Sequence, residues 1–353
     1  MRARRKSQVS HEVSRARGYK AVLDMFGFEK EEAGGGGDEF FGPKIKIMGV
    51  GGAGCNTISR MSKQGHSAKV PMIAANTDQK HLNTIKGDVK KILLGKSVTS
   101  GLGAGGFPEV AMKAALNSTE DIEKELEGTD LLFLVAGMGG GTGTGAAPVI
   151  ADIARKNGCL VASFVTYPFK LERARLAKAK EGIEKLKASS DTIVIIDNNR
   201  LLDWAPNVQI EKAFELVDDI TAKAVMGIAQ TILEPSLINL DFADLRSILE
   251  NGGVSMMSLG EASGIARNEE IIEATLSNKL LNIDTSGAAG VLLHLEGGPD
   301  LTLGDANLIA ESLTAHVPDD ANVILGARSQ EGSEKTIKAM VIFTGLKDNY
   351  KLG

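Results

Sequence analysis

The chain is predicted to have an α/β fold in which a parallel-sheet domain is followed by one long helix and a smaller α+β domain. From residue 44 onward, short apolar segments alternate with helix-like segments, which is typical of a doubly wound parallel sheet. Two glycine-rich loops each lie between an apolar segment and a helix-like one, as phosphate-binding loops do in Rossmann-like sheets. Aromatic residues make up only 4% of the chain, so aliphatic side chains must fill the core.

Length and composition narrow the class of protein. The 353 residues carry a formal net charge of −5, with 43% hydrophobic and 24% charged residues, which is typical of a globular chain of about two domains. The only cysteines, Cys55 and Cys159, are too few for a disulfide framework or a cysteine-based zinc site. Apolar runs stay short of the roughly 18 residues that a spanning helix needs, and the N-terminus lacks a signal-peptide core. We therefore expect a cytoplasmic protein, with no indication of a nucleic acid partner.

Four regions are predicted along the chain. Residues 1–43 form an N-terminal basic arm and a glycine-rich acidic linker, residues 44–209 a nucleotide-binding domain, residues 210–232 a central connecting helix, and residues 233–353 the C-terminal α+β domain. Residues 1–20 hold seven basic residues and one acid, and apolar residues recur there at roughly helical intervals. The segment 1–28 is thus either an amphipathic helix that contacts a membrane or partner, or a solvated tail.

Ten segments are predicted as strands. They are residues 44–50, 70–76, 91–95, 130–137, 159–168 and 191–197 in the first domain, and residues 254–262, 290–298, 322–328 and 337–345 in the second. Helices are predicted to start at Asn56 and Ala146, after the glycine loops, and to follow Asp241, Ala266 and Thr302. Because ligands bind beyond the carboxyl ends of parallel strands, we expect one site where these strands end. The polar residues placed there are Asn76, Asp78, Thr166, Pro168 and Asn198.

Glycines are concentrated in two loops, residues 49–54 and residues 137–145. The second loop holds six glycines and two threonines in nine residues. A backbone without Cβ atoms can approach a ligand closely, and N–H groups at a helix N-terminus favour an anion. A flexible linker would not be flanked by an apolar strand and an amphipathic helix. Two such loops in one domain indicate a nucleotide.

The same residues bear on other classes of nucleotide-binding and metal-binding protein. The first loop satisfies G-x-G-x-x-G after a strand, and Asp78 could serve as the acid of a nicotinamide-dinucleotide-binding oxidoreductase. Such an enzyme has no use for the second loop. A Walker motif is absent, because Lys90 stands where the motif requires glycine. The five histidines show no paired metal-ligand spacing, so each is interpreted as a surface or packed residue.

Three motifs together resemble FtsZ, the prokaryotic tubulin-like cell-division GTPase family, including its archaeal-type members. They are GVGGAGCN at 49–56, GGGTGTG at 139–145 and NLDFAD at 239–244, and the similarity extends from Lys44 to Gly345. The resemblance implies a tubulin-like GTPase domain that binds GTP or GDP with Mg²⁺. It also implies head-to-tail polymerisation of the chain with itself for septation at the division site.

The resemblance also assigns roles to individual residues. Phosphate contacts are assigned to three loops, at residues 49–54, 104–106 and 139–145. Ribose and phosphate contacts are assigned to Glu172 and Arg175. Guanine contacts are assigned to Asn198, Phe214 and Asp218. With the strand-end residues, the implied nucleotide-binding set is Gly51, Gly52, Asn56, Asn76, Asp78, Ala104, Gly105, Gly106, Gly139, Gly140, Gly141, Thr142, Gly143, Thr144, Gly145, Thr166, Pro168, Glu172, Arg175, Asn198, Phe214 and Asp218.

Catalysis is assigned by the resemblance to Asn239, Asp241 and Asp244, which enter the nucleotide pocket of the neighbouring subunit in that family. Two carboxylates there could polarise a water toward the γ-phosphate. From the pattern alone, Asp241 and Asp244 are equally those of a helix N-cap. The sequence leaves both interpretations open.

Several residues depart from the family pattern near the pocket. Three single residues differ: Cys55 replaces an asparagine, Ser100 replaces an arginine and Phe107 replaces an asparagine. The tripeptide Asp197-Asn198-Asn199 replaces Pro-Asn-Asp. Glu172 and Arg175 are three residues apart instead of four. The chain also ends soon after the last predicted strand, so a membrane-tethering adaptor, or the arm at 1–28, is expected to supply membrane contact. A tubulin-like cell-shape or positioning filament protein remains an alternative function.

Overall fold

The computed structural model describes residues 42–201, 207, 209–233, 237–238, 241–278, 280, 283–330, 332–347 and 352. The predicted basic arm and all but the last two residues of the acidic linker lie outside the described residues. Among the residues described, no helix is both long and apolar enough to cross a membrane.

All ten predicted strands are present, and they form one sheet. In chain order they are β1 (Ile45–Val50), β2 (Met72–Asn76), β3 (Lys90–Leu93), β4 (Leu131–Gly137), β5 (Leu160–Tyr167), β6 (Thr192–Asp197), β7 (Gly253–Ser263), β8 (Gly290–Gly297), β9 (Asn322–Ser329) and β10 (Thr336–Thr344). Their spatial order is β3-β2-β1-β4-β5-β6-β7-β10-β8-β9.

The sheet changes character at β7. Strands β1 to β6 pair in parallel, and β7 continues this parallel part beside β6 from Gly253 to Ser255. Farther along, β7 pairs antiparallel with β10, which also pairs antiparallel with β8. A parallel sheet followed by a smaller mixed one confirms the predicted α/β fold class. The exact domain boundaries at residues 209 and 232 stay predictions, because the strands form one uninterrupted sheet.

Eleven α-helices lie within the described residues. They are α1 (Gly51–Lys63), α2 (Gln79–Thr84), α3 (Lys96–Thr99), α4 (Pro108–Leu116), α5 (Thr119–Leu126), α6 (Thr142–Lys156), α7 (Arg173–Ser189), α8 (Ile210–Leu233), α9 (Phe242–Leu249), α10 (Arg267–Ser277) and α11 (Leu303–Thr314). The central helix, α8, ends one residue beyond its predicted limit. The helices predicted after Asp241, Ala266 and Thr302 begin at the next residue in each case.

Two helices begin earlier than predicted. Helix α1 begins at Gly51 instead of Asn56, and α6 begins at Thr142 instead of Ala146. Glycine is a poor helix former, so the pattern placed these glycines in loops. Close packing leaves no room for a side chain at Gly51, Gly143 or Gly145, whereas Gly52 faces open space. The first turn of each helix, not only the loop before it, therefore faces the candidate site.

The core lies on both faces of the parallel sheet and is aliphatic, as predicted. On the central strand β4, Leu132 and Leu134 face one buried cluster while Phe133 and Val135 face the other. Because successive side chains of a strand point to opposite faces, a strand covered by helices on both sides reads as a continuous apolar run. Burial on both sides fixes the strand ends in space, and with them the residues that follow.

Helix α8 connects the two parts of the sheet. On its N-terminal half, Asp219 forms an ion pair with Arg60 of α1 at 3.2 Å. On its C-terminal half, the Thr231 hydroxyl lies 2.7 Å from Nδ1 of the buried His294 on β8. The helix thus holds its N-terminal residues against α1, beside the carboxyl ends of the parallel strands.

Candidate nucleotide-binding site

The N-termini of α1 and α6 converge beside the ends of β1 and β4. At Gly51, whose φ is +74°, an added Cβ would lie 2.7 Å from the backbone nitrogen of Gly143, so a side chain would force the two helix starts apart. Neither N-cap residue, Val50 or Gly141, supplies a side-chain hydrogen bond, and neither first turn contains an acidic residue. The unpaired N–H groups and helix dipoles at this point therefore favour an anion.

Hydroxyl groups hold the signature loop, residues 137–145, in shape. The Gly139 N–H donates to the Thr144 hydroxyl at 2.8 Å, which closes the loop onto the first turn of α6. The Thr142 hydroxyl lies 2.7 Å from the hydroxyl of Thr77, at the end of β2. Two more backbone N–H groups of the loop are engaged, because Met138 donates to the Thr166 carbonyl and Gly145 to the Gly141 carbonyl, both at 3.0 Å.

Helix α8 contributes a carboxylate and an aromatic ring to a cavity beside these helix N-termini. Asp218 is partly buried and accepts a hydrogen bond from the Thr57 hydroxyl at 3.0 Å. Burial raises the pKa of Asp218 to about 6, although the Thr57 hydrogen bond and the Arg60 charge oppose that shift. Phe214 is 40% exposed and packs edge-to-face on Phe169, with ring centroids 5.4 Å apart. A planar base could stack on the open ring and donate N–H groups to the carboxylate.

Asn198 follows β6 in a turn that its neighbours fix. The Asp197 carboxylate accepts from the Asn199 backbone at 2.9 Å and from its side-chain amide at 2.7 Å, and that amide also donates to the Pro168 carbonyl. The Oδ1 of Asn198 is buried and has no hydrogen-bond partner within the described part of the chain. An unpaired buried amide is unfavourable, so this group is suited to a ligand. The departure from Pro-Asn-Asp leaves the middle asparagine on the cavity wall.

Glu172 and Arg175 contact each other in the cavity wall. Arg175 donates to Glu172 at 2.6 Å, and Glu172 also accepts from the backbone N–H of Phe169 at 3.1 Å. The Glu172 side chain is largely buried, with 14% of its surface exposed, whereas that of Arg175 is 59% exposed. Three-residue spacing therefore keeps both groups on one face of the start of α7, with the guanidinium reaching solvent.

These elements enclose a cavity of about 400 Å³, within the range of small-ligand sites. Thirteen residues of the predicted nucleotide-binding set line it. They are Gly52, Asn56, Gly140, Gly141, Thr142, Gly143, Thr166, Pro168, Glu172, Arg175, Asn198, Phe214 and Asp218. Ala53, Gly137, Met138 and Val217 also line it and were not predicted. Ala53, Met138 and Val217 are each adjacent in sequence to a predicted residue, and Gly137 is the first residue of the glycine-rich loop at 137–145, so position in the sequence is the signal that could have found them.

Nine residues of the predicted set do not line the cavity. They are Gly51, Asn76, Asp78, Ala104, Gly105, Gly106, Gly139, Thr144 and Gly145. Several of them support its wall: Ala104 and Gly106 pack against Gly141, and the Asp78 carboxylate accepts from the His81 N–H at the start of α2. Asp78 is thus engaged in capping a helix, which does not favour the dinucleotide interpretation.

Two of the three predicted catalytic residues, Asp241 and Asp244, lie outside this cavity. The Asp241 side chain accepts from the Asp244 N–H at 2.7 Å and caps α9, so the capping interpretation is confirmed. Both residues are exposed, and neither lines the cavity. Asn239 lies outside the described residues. Capping engages one oxygen of Asp241 and leaves the Asp244 carboxylate exposed to solvent.

Cys55 is another residue that departs from the family pattern. Its thiol is fully buried between the first two strands and lies 3.6 Å from the carbonyl oxygens of both Gly49 and Ala75. Burial raises the pKa of this thiol to about 12, which keeps it neutral and unreactive. Cys55 is therefore a small core residue, and it does not line the cavity.

Comparison with known proteins agrees with this geometry. Residues 44–206 match the family model for the Tubulin/FtsZ family, GTPase domain, and residues 253–347 match that for the FtsZ family, C-terminal domain. The chain is 50% identical over 313 residues to Cell division protein FtsZ 2 of Methanocaldococcus jannaschii, covering 88% of this chain and 82% of the relative. It is 48% identical over 316 residues to Cell division protein FtsZ 2 of Halobacterium salinarum, covering 90% and 80%.

Solved structures give the same result. An empty FtsZ dimer from M. jannaschii superposes with a TM-score of 0.82 at 38% identity, covering 92% of this chain and 91% of that one. The GDP-bound CetZ1 monomer from Haloferax volcanii, at 19% identity and a TM-score of 0.74, shares the fold; it covers 86% of this chain and 95% of that chain. The chain therefore belongs to the FtsZ family of tubulin-like cell-division GTPases.

Proposed function

We propose that this protein is a self-polymerising GTPase of cell division that hydrolyses GTP to GDP and phosphate in a site shared by two adjacent subunits. The cavity suits a guanine nucleotide. The converging N-termini of α1 and α6 favour phosphates at one end, and Asp218 can accept from guanine N1–H and the exocyclic amine at the other. Adenine offers an acceptor at N1, so the same carboxylate would disfavour it.

One observation carries the shared-site proposal: within the described part of the chain, no carboxylate that lines the cavity is free to act on water. Among the described lining residues, the only carboxylates are Glu172 and Asp218. Glu172 is ion-paired with Arg175, and Asp218 is held by Thr57 in the wall formed by α8. Asp244, by contrast, is exposed outside the cavity. Its insertion into the cavity of a second copy would supply the missing group.

The proposed reaction rests on position and charge. Asp241 and Asp244 would orient and polarise the attacking water, while uncapped helix N–H groups would stabilise charge on the phosphates. No cluster of three His, Cys, Asp or Glu side chains that could hold a metal occurs in the described part of the chain. Magnesium bound together with the nucleotide would offset the negative charge of its phosphate oxygens.

Cellular location and membrane contact follow from the same proposal. A head-to-tail polymer of this chain would act in the cytoplasm at the division site, as the names of its relatives, Cell division protein FtsZ 2, suggest. Tethering would require a membrane-bound adaptor or the basic segment at 1–28. Deleting residues 1–28 and measuring sedimentation with anionic vesicles tests the second route, and unchanged binding would exclude it.

The decisive experiment measures GTP hydrolysis and light scattering against protein concentration with magnesium, for wild type and Asp244→Ala. We expect the rate per subunit to rise above a threshold concentration together with scattering, and the variant to bind GTP and assemble without turnover. A rate proportional to concentration without assembly would indicate a self-contained GTPase and refute the shared site.

Asp241 needs a matched pair of variants, because it also caps α9. Asp241→Asn keeps a good N-cap but removes the charge, whereas Asp241→Ala removes both and should lower the free energy of unfolding by about 1 kcal/mol. If Asp241 acts in hydrolysis, both variants lose turnover and only the alanine variant loses stability. Full GTP turnover in Asp241→Asn would exclude a role of this carboxylate in hydrolysis and leave only its role as the N-cap of α9.

A further inference from the structure

A histidine connects two asparagines beside the nucleotide cavity. His81, in α2, places Nε2 3.0 Å from Oδ1 of Asn56, which lines the cavity from α1. Its other ring nitrogen, Nδ1, lies 3.2 Å from Nδ2 of Asn76, at the end of β2. The ring itself does not line the cavity. It therefore contacts the site only through Asn56.

A backbone amide sets the direction of these hydrogen bonds. The Asp78 N–H donates to Oδ1 of Asn76 at 3.3 Å, so the Asn76 amide turns its Nδ2 donor toward the histidine. Nδ1 of His81 must then accept, and a neutral imidazole that accepts at Nδ1 carries its proton on Nε2. The Nε2–H donates to Oδ1 of Asn56. This leaves the Nδ2 donors of Asn56 for another acceptor.

We propose that His81 is a positioning residue that orients the Asn56 amide so that its N–H groups face an oxygen of the bound nucleotide. The inference rests on the proposed function, since it names how one residue of that site is aimed. The ring is well placed for this task. The His81 backbone N–H donates to the Asp78 carboxylate at 3.1 Å, which fixes the start of α2 against the end of β2. Without the ring, the Asn56 amide could rotate and present its oxygen to phosphate, where it would repel.

Three substitutions separate the hydrogen bond from the shape of the ring. In His81→Gln the side-chain nitrogen reaches about as far as Nε2, in His81→Asn it reaches only about as far as Nδ1, and His81→Leu fills similar space without polar atoms. GDP affinity, measured by titration calorimetry on nucleotide-free monomer, is expected to fall about tenfold in the Leu and Asn variants. The Gln variant should stay within about threefold of wild type. Unchanged GDP affinity in His81→Leu overturns the proposal.

A double-mutant cycle distinguishes positioning from a loss of structure. If His81 acts through Asn56, the His81→Leu substitution has no further effect on GDP affinity in an Asn56→Ala background. An undiminished further loss would show that the histidine acts by some other route and would overturn the proposal. Asn83→Ala, which removes an exposed side chain of the same helix, is the matched control. Thermal unfolding of each variant identifies any that fail to fold, and the Gln variant still tests the hydrogen bond.

The tautomer provides a readout that a packing role would not move. In protein labelled with ¹⁵N-histidine, the signal lost in His81→Gln identifies His81, and its nitrogen shifts at neutral pH should report a proton on Nε2. A proton on Nδ1 would reverse the bond direction and refute the inference. If wild type binds no guanine nucleotide, the proposed function fails and this inference with it. Tight wild-type binding with normal binding in His81→Leu overturns only the role of His81.

Discussion

Replacing Asp218 with asparagine should make the nucleotide-free protein more stable while it weakens guanine binding. Burial raises the pKa of this carboxyl from 3.8 to about 6. A pKa change of this size corresponds to about 3 kcal/mol, so at neutral pH the charged form destabilises the fold by at most that amount. Asparagine carries no charge and can still accept the Thr57 hydrogen bond. We expect Asp218→Asn to raise the free energy of unfolding by about 1 to 3 kcal/mol at pH 7.5.

The pH dependence has a definite sign. Because the pKa of Asp218 is higher in the folded state than in the unfolded state, protonation stabilises the fold. This stabilisation is complete below pH 3.8, declines as the pH rises from 3.8 toward 6, and is absent above about pH 6. The gap between Asp218→Asn and wild type should therefore be small near pH 4, should widen up to pH 6 and should stay constant above it. Urea unfolding of both proteins without nucleotide, at several pH values, measures this gap.

Guanine affinity should respond in the opposite direction. The carboxylate accepts two N–H groups of the base, whereas an asparagine would direct a donor at them, so Asp218→Asn should weaken GDP binding by about 3 kcal/mol, or roughly 100-fold. Wild-type affinity should fall as the pH drops below about 6. Glu211→Gln, which removes an exposed charge from the same helix that does not act on the pKa of Asp218, is the control. Equal stability of the two proteins at pH 7.5, or unchanged GDP affinity in Asp218→Asn, would refute the reasoning.

Two further predictions concern a glycine pair and a buried histidine. Gly52→Ala adds a Cβ with nothing within 4 Å, so it should keep stability and weaken GDP binding, whereas Gly54→Ala puts a Cβ 2.2 Å from the Val135 carbonyl oxygen and should destabilise the fold by more than about 2 kcal/mol. Equal effects on thermal unfolding would contradict this. Burial lowers the pKa of His294 from 6.5 to about 4, so its contribution to stability is present above pH 6.5 and is lost toward pH 4. His294→Asn, with the Thr231 contact kept, should reduce the fall in the free energy of unfolding between pH 6.5 and pH 4, as measured by urea unfolding. An unchanged fall would exclude the histidine as its cause.

Asp218 and His294 illustrate what sequence patterns cannot reveal. Titration of Asp218 stabilises the fold as the pH falls from 6 toward 4, and titration of His294 destabilises it over nearly the same range. The two contributions oppose each other in wild type and become visible only when one is removed. Both shifts arise from burial, which depends on how α8 packs against α1 and β8. Neither residue type nor spacing contains that information.

The alternation of apolar strands and helices was sufficient to predict all ten strands. The signal is strongest for strands such as β4, which are covered on both faces and are therefore apolar throughout. The two glycine loops were sufficient to predict a phosphate site, because only a backbone without side chains permits the contact of Gly51 with Gly143. Local chemistry also predicted the Asp241 cap on α9. These features depend on neighbours in the chain, which the sequence displays directly.

Tertiary structure decided which of the predicted residues reach the cavity. It placed Asn198 with an unpaired buried oxygen on the cavity wall, and it turned Asp78 away to cap a helix. It also brought His81 between two asparagines from different elements, although the sequence indicated only a packed or surface histidine. Contacts of this kind join residues whose separation along the chain bears no relation to their distance in space. The sequence therefore determined the fold class and the kind of ligand, and packing of the helices on the sheet determined the orientation of the groups that bind it.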